Sequence, residues 1–465
     1  MIFDFKYLQN KNLLTQHYNS RVQEEEFQKS IVKPRQFQMR FIALLTTLIY
    51  FAYVFLDFYL IGDGMLKTTV LFHASMVGIL ALSALNISKK WGLYLLYISP
   101  IYASVSSSFL IVNGLEFYLG DIHIIFLWAL VVVGFRFFEA SIIALVMLGL
   151  HISIFLLLPN IFTFEVLVNH SFLTLVSLIL GLMAAYIIEL YTRINYETTT
   201  ALSSSNKNIQ DSIAYASLIQ SALIPDKSSF KNHFQEYFVI WSPKETIGGD
   251  IYLFEELRDK DECLLMVIDC TGHGVPGAFV TMLVKAIESQ IIAYINNSDE
   301  VVSPARYLNI FNKKIKKLLK QYTGNSASNA GFDGGIIYYN KKEKILKYAG
   351  ANTPLFYIDS SGEIKMIKGD RYSVGYKKCA VDYEYTEHTI DVTNNMQFYL
   401  TTDGFIDQNG GEKSFPFGKT RFKRLIEKSQ TKCMQEQESM FLKTLSNYEC
   451  ADERNDDITV IAFKI

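Results

Sequence analysis

The chain has 465 residues, 50% of them hydrophobic, with a mean hydropathy of +0.17 and a formal net charge of −2. It is too long for one ordinary domain and too apolar for a wholly soluble enzyme, and its near-neutral charge removes the electrostatic case for binding nucleic acid. Cys263, Cys270, Cys379, Cys433 and Cys450 all fall in the second half with no CxxC pair, which fits a reducing cytosol and argues against a disulfide framework or a zinc site.

The apolar excess lies before residue 192. It divides into six runs, roughly 39–61, 67–87, 91–112, 117–135, 138–158 and 170–190, each close to the ~20 residues that carry a helix across a hydrocarbon core. Residues 1–37 are polar and charged, so the first run reads as an uncleaved anchor. Lys29, Lys33, Arg35 and Arg40 lead into it, Lys89 and Lys90 separate the second and third runs, Arg136 the fourth and fifth, and Arg193 follows the sixth. The alternate loops carry Asp63, Lys67, Glu116 and Glu165. Positive charge on every second loop predicts six spans over 38–191 with both termini in the cytosol. Within the spans, His123 and His151 read as helix–helix hydrogen bonders rather than sensors, and Asp121 and Pro100 have no obvious partner. A sensory or anchoring bundle therefore fits better than a transporter.

Residues 192–225 turn polar. Ile209, Ile213, Ala216, Ile219 and Leu223 form a helical apolar stripe that Pro225 ends. Two readings stay open: a helix packed on the next domain, or a dimer helix relaying a signal from the membrane.

From 226 to 465 the pattern becomes short strands and turns. In "GGDIYLFEELRDKDECLLMVIDC" the charged turn sits near residue 260, so antiparallel pairing brings Asp250 and Asp269 side by side at one end of a hairpin. "MQFYLTTDGF" runs into Asp403, and "NDDITVIAF" starts just after Asp456 and Asp457; if these strands pair, Asp403 lies beside Asp456. Carboxylates gathered at strand ends repel one another unless a cation neutralises them, and an all-oxygen set suits Mg²⁺ or Mn²⁺ rather than zinc. In "DCTGHGVPGAF" a glycine-rich turn opens a long helix; Cys270 lacks the arginine six residues on that a cysteine phosphatase needs, and His273 reads as a turn stabiliser. "FNKKIKKLLKQ" at 311–321 reads as an amphipathic helix with its lysines in water.

GGDIY, DCTGHGVPGAF, TTDGF and NDDITV, in this order over about 208–465, resemble the metal-dependent protein serine/threonine phosphatases of the 2C class, in the SpoIIE-like bacterial branch. The resemblance implies an α+β domain of two antiparallel sheets flanked by helices, behind the all-α membrane bundle. It implies two Mn²⁺ or Mg²⁺ ions and an activated water that hydrolyses phosphoserine or phosphothreonine, with Asp250, Asp269, Asp403 and Asp456 as catalytic metal ligands. The Cys270 carbonyl and Asp457 complete the expected metal set, while Leu253 stands where many relatives carry a second acid. Asp333 of GFDGG reads equally well as a turn residue. The implied partner is a phosphorylated cytosolic regulator, such as an antagonist of an anti-sigma factor. The implied setting is the bacterial inner membrane, in contact with lipid, as a homodimer. The competing reading is a pseudophosphatase that binds a partner without turnover. A diguanylate cyclase is excluded because Ile251 and Tyr252 follow GGD.

Overall fold

Helices too apolar for water dominate the first half. The computed structural model describes all residues except 1–10, 13–15, 62–63, 116–117, 158–162, 259, 323–327 and 451, and the chain divides into two units, Met1–Ser205 and Asn206–Ile465. The first unit holds α1 (Arg21–Leu60), α2 (Leu66–Leu85), α3 (Lys90–Val112), α4 (Leu119–Leu127), α5 (Phe137–Leu157) and the start of α6 (Phe164–Leu223), inside which the unit boundary falls. By length and composition, five helical stretches among the described residues can cross a membrane: α1, α2, α3, the stretch containing α6, and Gly274–Asn296 in the second unit. Leu119–Val132 and Phe137–Ser153 are apolar but shorter. The fourth run is not one regular helix, since α4 passes at Trp128–Val132 into a π turn.

Met39, Leu80, Leu96, Phe126 and Met147 fill the interior of this unit. Phe51, Phe55, Leu71, Leu145 and Ile179 point outward and exposed, a surface that lipid accepts and water does not. The charged groups collect at one end. Arg193, with 0% exposure, donates to Glu24 at 2.8 Å and to Glu189 at 2.9 Å, and Arg136 donates to Glu24 at 3.0 Å. The leading segment, the fourth-to-fifth loop and the exit of the sixth run thus meet. Asp63 and Glu116 lie outside the described residues. His123 and His170 share a hydrogen bond of 3.0 Å between α4 and α6, and His151 lies 3.4 Å from Thr174. Both sequence-singled histidines therefore face neighbouring helices.

In the second unit, β1 (Glu236–Ser242), β2 (Asp250–Leu257) and β3 (Glu262–Cys270) precede α7 (Gly274–Asn296) and α8 (Pro304–Leu318). Then come β4 (Phe332–Asn340), β5 (Ile345–Ala351), β6 (Leu355–Ile358), β7 (Ile364–Ile367), β8 (His388–Asp391) and β9 (Gln397–Thr401). The chain closes with α9 (Asp403–Ile406), the short ribbon β10 (Asn409–Gly410) and β11 (Phe415–Pro416), α10 (Gly418–Ser429), α11 (Met434–Glu449) and β12 (Ile458–Lys464). Two five-stranded antiparallel sheets result, ordered β1-β12-β9-β6-β7 and β2-β3-β4-β5-β8.

Alternation along the strands assigns the layers. Tyr252, Phe254, Leu265 and Val267 meet Val239, Phe398, Leu400 and Phe463 between the sheets. Ile251, Leu253, Leu264 and Met266 face α7 and α8, and Phe238, Tyr399 and Val460 face α9, α10 and α11. Strands covered on both faces read as unbroken apolar runs, as "CLLMVI" does. Val280, Val284, Ile287, Ile291 and Ile295 recur at helical spacing and bury one face of α7 on its sheet, so its membrane-like composition serves the domain core. On α8, Ile315 is buried as its pattern predicts, but Lys316 is also buried, at 2% exposure, and its Nζ donates to the Tyr376 carbonyl at 2.6 Å.

Candidate active site

The register of the second sheet aligns three carboxylates on adjacent strands: Asp250 pairs with Asp269, and Asp269 with Asp333. Asp250 opens β2 and is 1% exposed. Its Oδ2 accepts from Thr402 Oγ1 and from Thr459 Oγ1, each at 2.7 Å. Those hydroxyls come from the other sheet, Thr402 between β9 and α9 and Thr459 within β12. Burial pushes the Asp250 carboxyl up to about 8, with Asp457 and Asp403 adding to the rise and the two threonines opposing it. Asp269 is driven well above the usual carboxylate range, first by burial and then by Asp250, Asp403 and Asp456, and it is hydrogen-bonded to Asp403. Burial also raises Asp403, at the start of α9, against the opposing bond from Asp269.

Why two glycines precede Asp250 is a matter of space. A Cβ on Gly249 would lie 2.3 Å from the Gly272 carbonyl oxygen and 2.8 Å from that of Cys270. The hairpin end, the turn after β3 and α7 therefore close on one another only through glycine. Gly272 itself has φ +83°, a left-handed conformation that glycine adopts without strain. The Cys270 carbonyl faces this crowded corner, while its thiol is buried and raised by that burial, no state for a nucleophile. His273 caps α7 with its ring Nδ1 2.9 Å from Glu245, both side chains about half exposed.

Asp457 is placed differently from its neighbour. Its Oδ1 accepts from the Lys244 amide at 2.7 Å and its Oδ2 from the Gly249 amide at 2.5 Å, so both oxygens anchor the backbone that leads into Asp250. Asp456 Oδ1 accepts from the Asp457 amide at 2.8 Å. Asp333 lies in β4 rather than in a turn, and Asn352 Nδ2 donates to both its oxygens, at 3.1 and 3.2 Å. Leu253 is in the hydrophobic core and offers no ligand.

Several contributors escape a reading of motifs. Gln220, 1% exposed near the end of α6, donates through Nε2 to the Gly248 carbonyl at 2.7 Å and to Thr281 Oγ1 at 3.2 Å, and accepts from the Gly248 amide at 3.1 Å. Ser217 Oγ donates to the Thr246 carbonyl at 3.0 Å. Tyr376, held by Lys316, places its hydroxyl 2.6 Å from Thr271 Oγ1 in the turn after Asp269.

Among the described residues, no three His, Cys, Asp or Glu side chains already enclose one point as a finished metal cage. The donor chemistry nevertheless fits a hard divalent cation: Asp250, Asp269 and Asp403 gather at one place, Asp250 and Asp403 both raise Asp269, and all three offer only oxygen.

No curated protein matches the chain. Residues 259–465 match the family model described as Stage II sporulation protein E (SpoIIE). Among solved structures, the SiaA-PP2C domain of Pseudomonas aeruginosa is 33% identical with a TM-score of 0.50, the match covering 57% of this chain and 99% of that one. The PP2C phosphatase domain of Bacillus subtilis SpoIIE, solved with a fragment of its regulatory domain, is 15% identical with a TM-score of 0.38, covering 49% and 62%. The catalytic domain of the serine threonine protein phosphatase PstP in complex with 2 manganese ions is 14% identical with a TM-score of 0.36, covering 49% and 97%.

Proposed function

The chain belongs to the SpoIIE family of PP2C-type serine/threonine phosphatases, and from that premise we propose a membrane-bound, signal-regulated enzyme that hydrolyses phosphoserine or phosphothreonine on a cytosolic regulatory protein. The observation that carries this reading is the cluster of carboxylates at Asp250, Asp269 and Asp403, in which Asp250 is buried and raised by Asp403, and Asp269 is raised by both of the others. With Asp456 and the Cys270 carbonyl they would hold Mn²⁺ or Mg²⁺, two ions in the full site. Such ions supply neutralisation of phosphoryl oxygens and a lowered pKa for water.

The chain's own residues set that site up. Thr402 and Thr459 donate to Asp250 and favour its ionised form. We assign Asp457 to positioning, because its oxygens already hold the Lys244 and Gly249 amides. Gln220 fixes the same turn from the helix that precedes the domain, so a movement of that helix would be felt beside Asp250. Ile209 and Ile219 on its outer face are exposed at 55% and 40% and supply a dimer seam. The domain faces the cytosol in this reading.

The test is the purified full chain in lipid nanodiscs, assayed on phosphoserine and phosphothreonine peptides with Mn²⁺, with Mg²⁺ and with EDTA. Turnover should require the metal and vanish in Asp269→Ala and Asp403→Ala without loss of fold. Metal-independent turnover, or full activity in both variants, would refute the reading. Phosphoprotein binding without turnover would make the chain a pseudophosphatase instead.

A further inference from the structure

The interior of the N-terminal unit contains a cavity of about 140 Å³ between α1, α2, α3 and α4. Tyr50, Tyr53, His73, Asp121 and Trp128 give it aromatic and acidic walls, and Leu110 and Ile125 belong to its apolar remainder. For scale, an apolar void of about 150 Å³ accepts benzene.

Two carboxylates sit in this region, and their situations differ. Asp57 is buried with both oxygens engaged: Oδ2 lies 2.6 Å from His73 Nδ1, and Oδ1 accepts from the Tyr118 hydroxyl at 3.1 Å. Asp121 borders the cavity, and among the described residues its side chain has no hydrogen bond or ion pair. With His73 protonated, the Asp57–His73 pair is neutral and Asp121 leaves one negative charge; with His73 neutral, the deficit is larger. Asp121 is half-buried, and a carboxylate without a partner among apolar helices is costly to keep charged, so such a residue holds a proton or meets a cation.

The walls say which cation. Inorganic ions need six or more oxygen ligands; of the hydroxyls in the lining, that of Thr46 accepts from Trp128 and that of Ser106 donates to the Tyr102 and Ala103 carbonyls, which leaves Tyr50, Tyr53, Ser107 and Asp121 to supply oxygen among ring faces and isoleucine methyls. Aromatic faces around a carboxylate suit an organic ammonium, whose diffuse charge is attracted to the ring quadrupoles and whose methyl groups fill apolar space. Tyr50 and Tyr53, one turn apart on α1, both flank the His73 ring, at 5.8 and 5.4 Å between centroids. Trp128 opens the π turn after α4, and its Nε1 donates to Thr46 Oγ1 at 2.9 Å, which fixes the indole at the cavity wall. The π turn ends α4, and its wider winding changes the direction in which the Trp128 side chain leaves the helix.

We propose that this cavity is a binding site for a small monovalent organic ammonium ion of the methylated-amine class, with Asp121 as its counter-ion and Tyr50, Tyr53 and Trp128 as its aromatic walls. This site lies outside the phosphatase reading and stands or falls without it.

The experiment uses the full chain in nanodiscs and equilibrium binding of radiolabelled choline, with tetramethylammonium and 3,3-dimethylbutanol, the uncharged carbon isostere of choline, as competitors. One saturable site per chain is expected, displaced by tetramethylammonium, with dimethylbutanol weaker by at least about tenfold. Asp121→Asn should weaken choline binding by at least about tenfold and Tyr53→Leu by a few-fold. Absence of saturable binding, unchanged binding in Asp121→Asn, or competition by dimethylbutanol equal to that of tetramethylammonium would overturn the proposal; the last would mean that Asp121 carries a proton. The competition in the wild-type chain decides the matter even if a variant fails to fold.

Discussion

Replacing Gln220 by methionine keeps the side chain's length and removes its polar end. The Gly248 amide and carbonyl, buried beside Gly249 and Asp250, then lose their partners, while Thr281 loses one donor and keeps its own bond to the Ala278 carbonyl. Each orphaned buried group costs about 1–3 kcal/mol, and partial relaxation makes about 2–4 kcal/mol the reasonable total. At about 2–4 °C per kcal/mol for a domain of this size, the melting temperature of the Asn206–Ile465 unit should fall by about 4–16 °C. The loss is local to the turn that carries Asp250, so Mn²⁺-dependent kcat on p-nitrophenyl phosphate should fall by about tenfold or more, since 1.4 kcal/mol is a factor of ten. Amide exchange at Gly248 and Gly249 should accelerate with it. Gln220→Glu, which still accepts from the Gly248 amide but cannot donate, should fall between the two. Wild-type melting and wild-type kcat in Gln220→Met would refute the claim that the linker helix braces the site.

Metal binding should release protons. With Asp250 pushed up to about 8 in the metal-free protein, Mn²⁺ affinity should rise with pH from 6 to 8 by up to about tenfold per unit for each proton displaced, and calorimetry at pH 7 in buffers of different ionisation enthalpy reads this directly; buffer-independent heats would contradict it. The same raised carboxyls of Asp250, Asp269 and Asp403 bind more protons folded than unfolded, so the metal-free domain should be most stable at low pH and lose stability as pH rises through about 8, a slope that saturating Mn²⁺ should flatten or invert in thermal melts. If the linker helix pairs two chains as proposed, Ile209→Glu with Ile219→Glu should convert the dimer seen by light scattering to monomer and alter turnover on a phosphoprotein while Mn²⁺ affinity is kept; a wild-type chain that is monomeric, or an unchanged oligomer and rate, would reduce the helix to a linker. A cysteine at Lys89 should resist, and one at Glu165 accept, a membrane-impermeant maleimide applied to intact cells; the opposite pattern would invert the topology.

What the sequence discloses and what it conceals follow from the range of the interactions. Asp250 opposite Asp269 is legible because a charged loop fixes the hairpin centre, and the register then follows by counting. The two-sheet architecture is legible from strands apolar on both faces. Asp333 is not, because Asp-Gly-Gly looks like a turn. The glycines are instead demanded by close neighbours in the sandwich: a Cβ on Gly334 would lie 2.6 Å from the Val267 carbonyl oxygen, and one on Gly335 would lie 2.9 Å from the Leu400 side chain. The π turn at Trp128 hides in a run that is apolar all round and carries no phase to break. Likewise α1 reaches back to Arg21, well before its apolar run, because Glu24 finds Arg136 and Arg193 from distant parts of the chain. Gln220 and Lys316 show the same limit from the other side. Periodicity assigns a polar residue to water, and each is buried because its partners, Gly248 and the Tyr376 carbonyl, arrive from elsewhere in the chain. Polar groups buried in this way cost stability unless their partners hold position. That makes them the places where a change in the linker helix or in α8 is converted into a change at Asp250 or in the turn after Asp269. The residues least visible to hydrophobic pattern are therefore the ones whose displacement reaches the site.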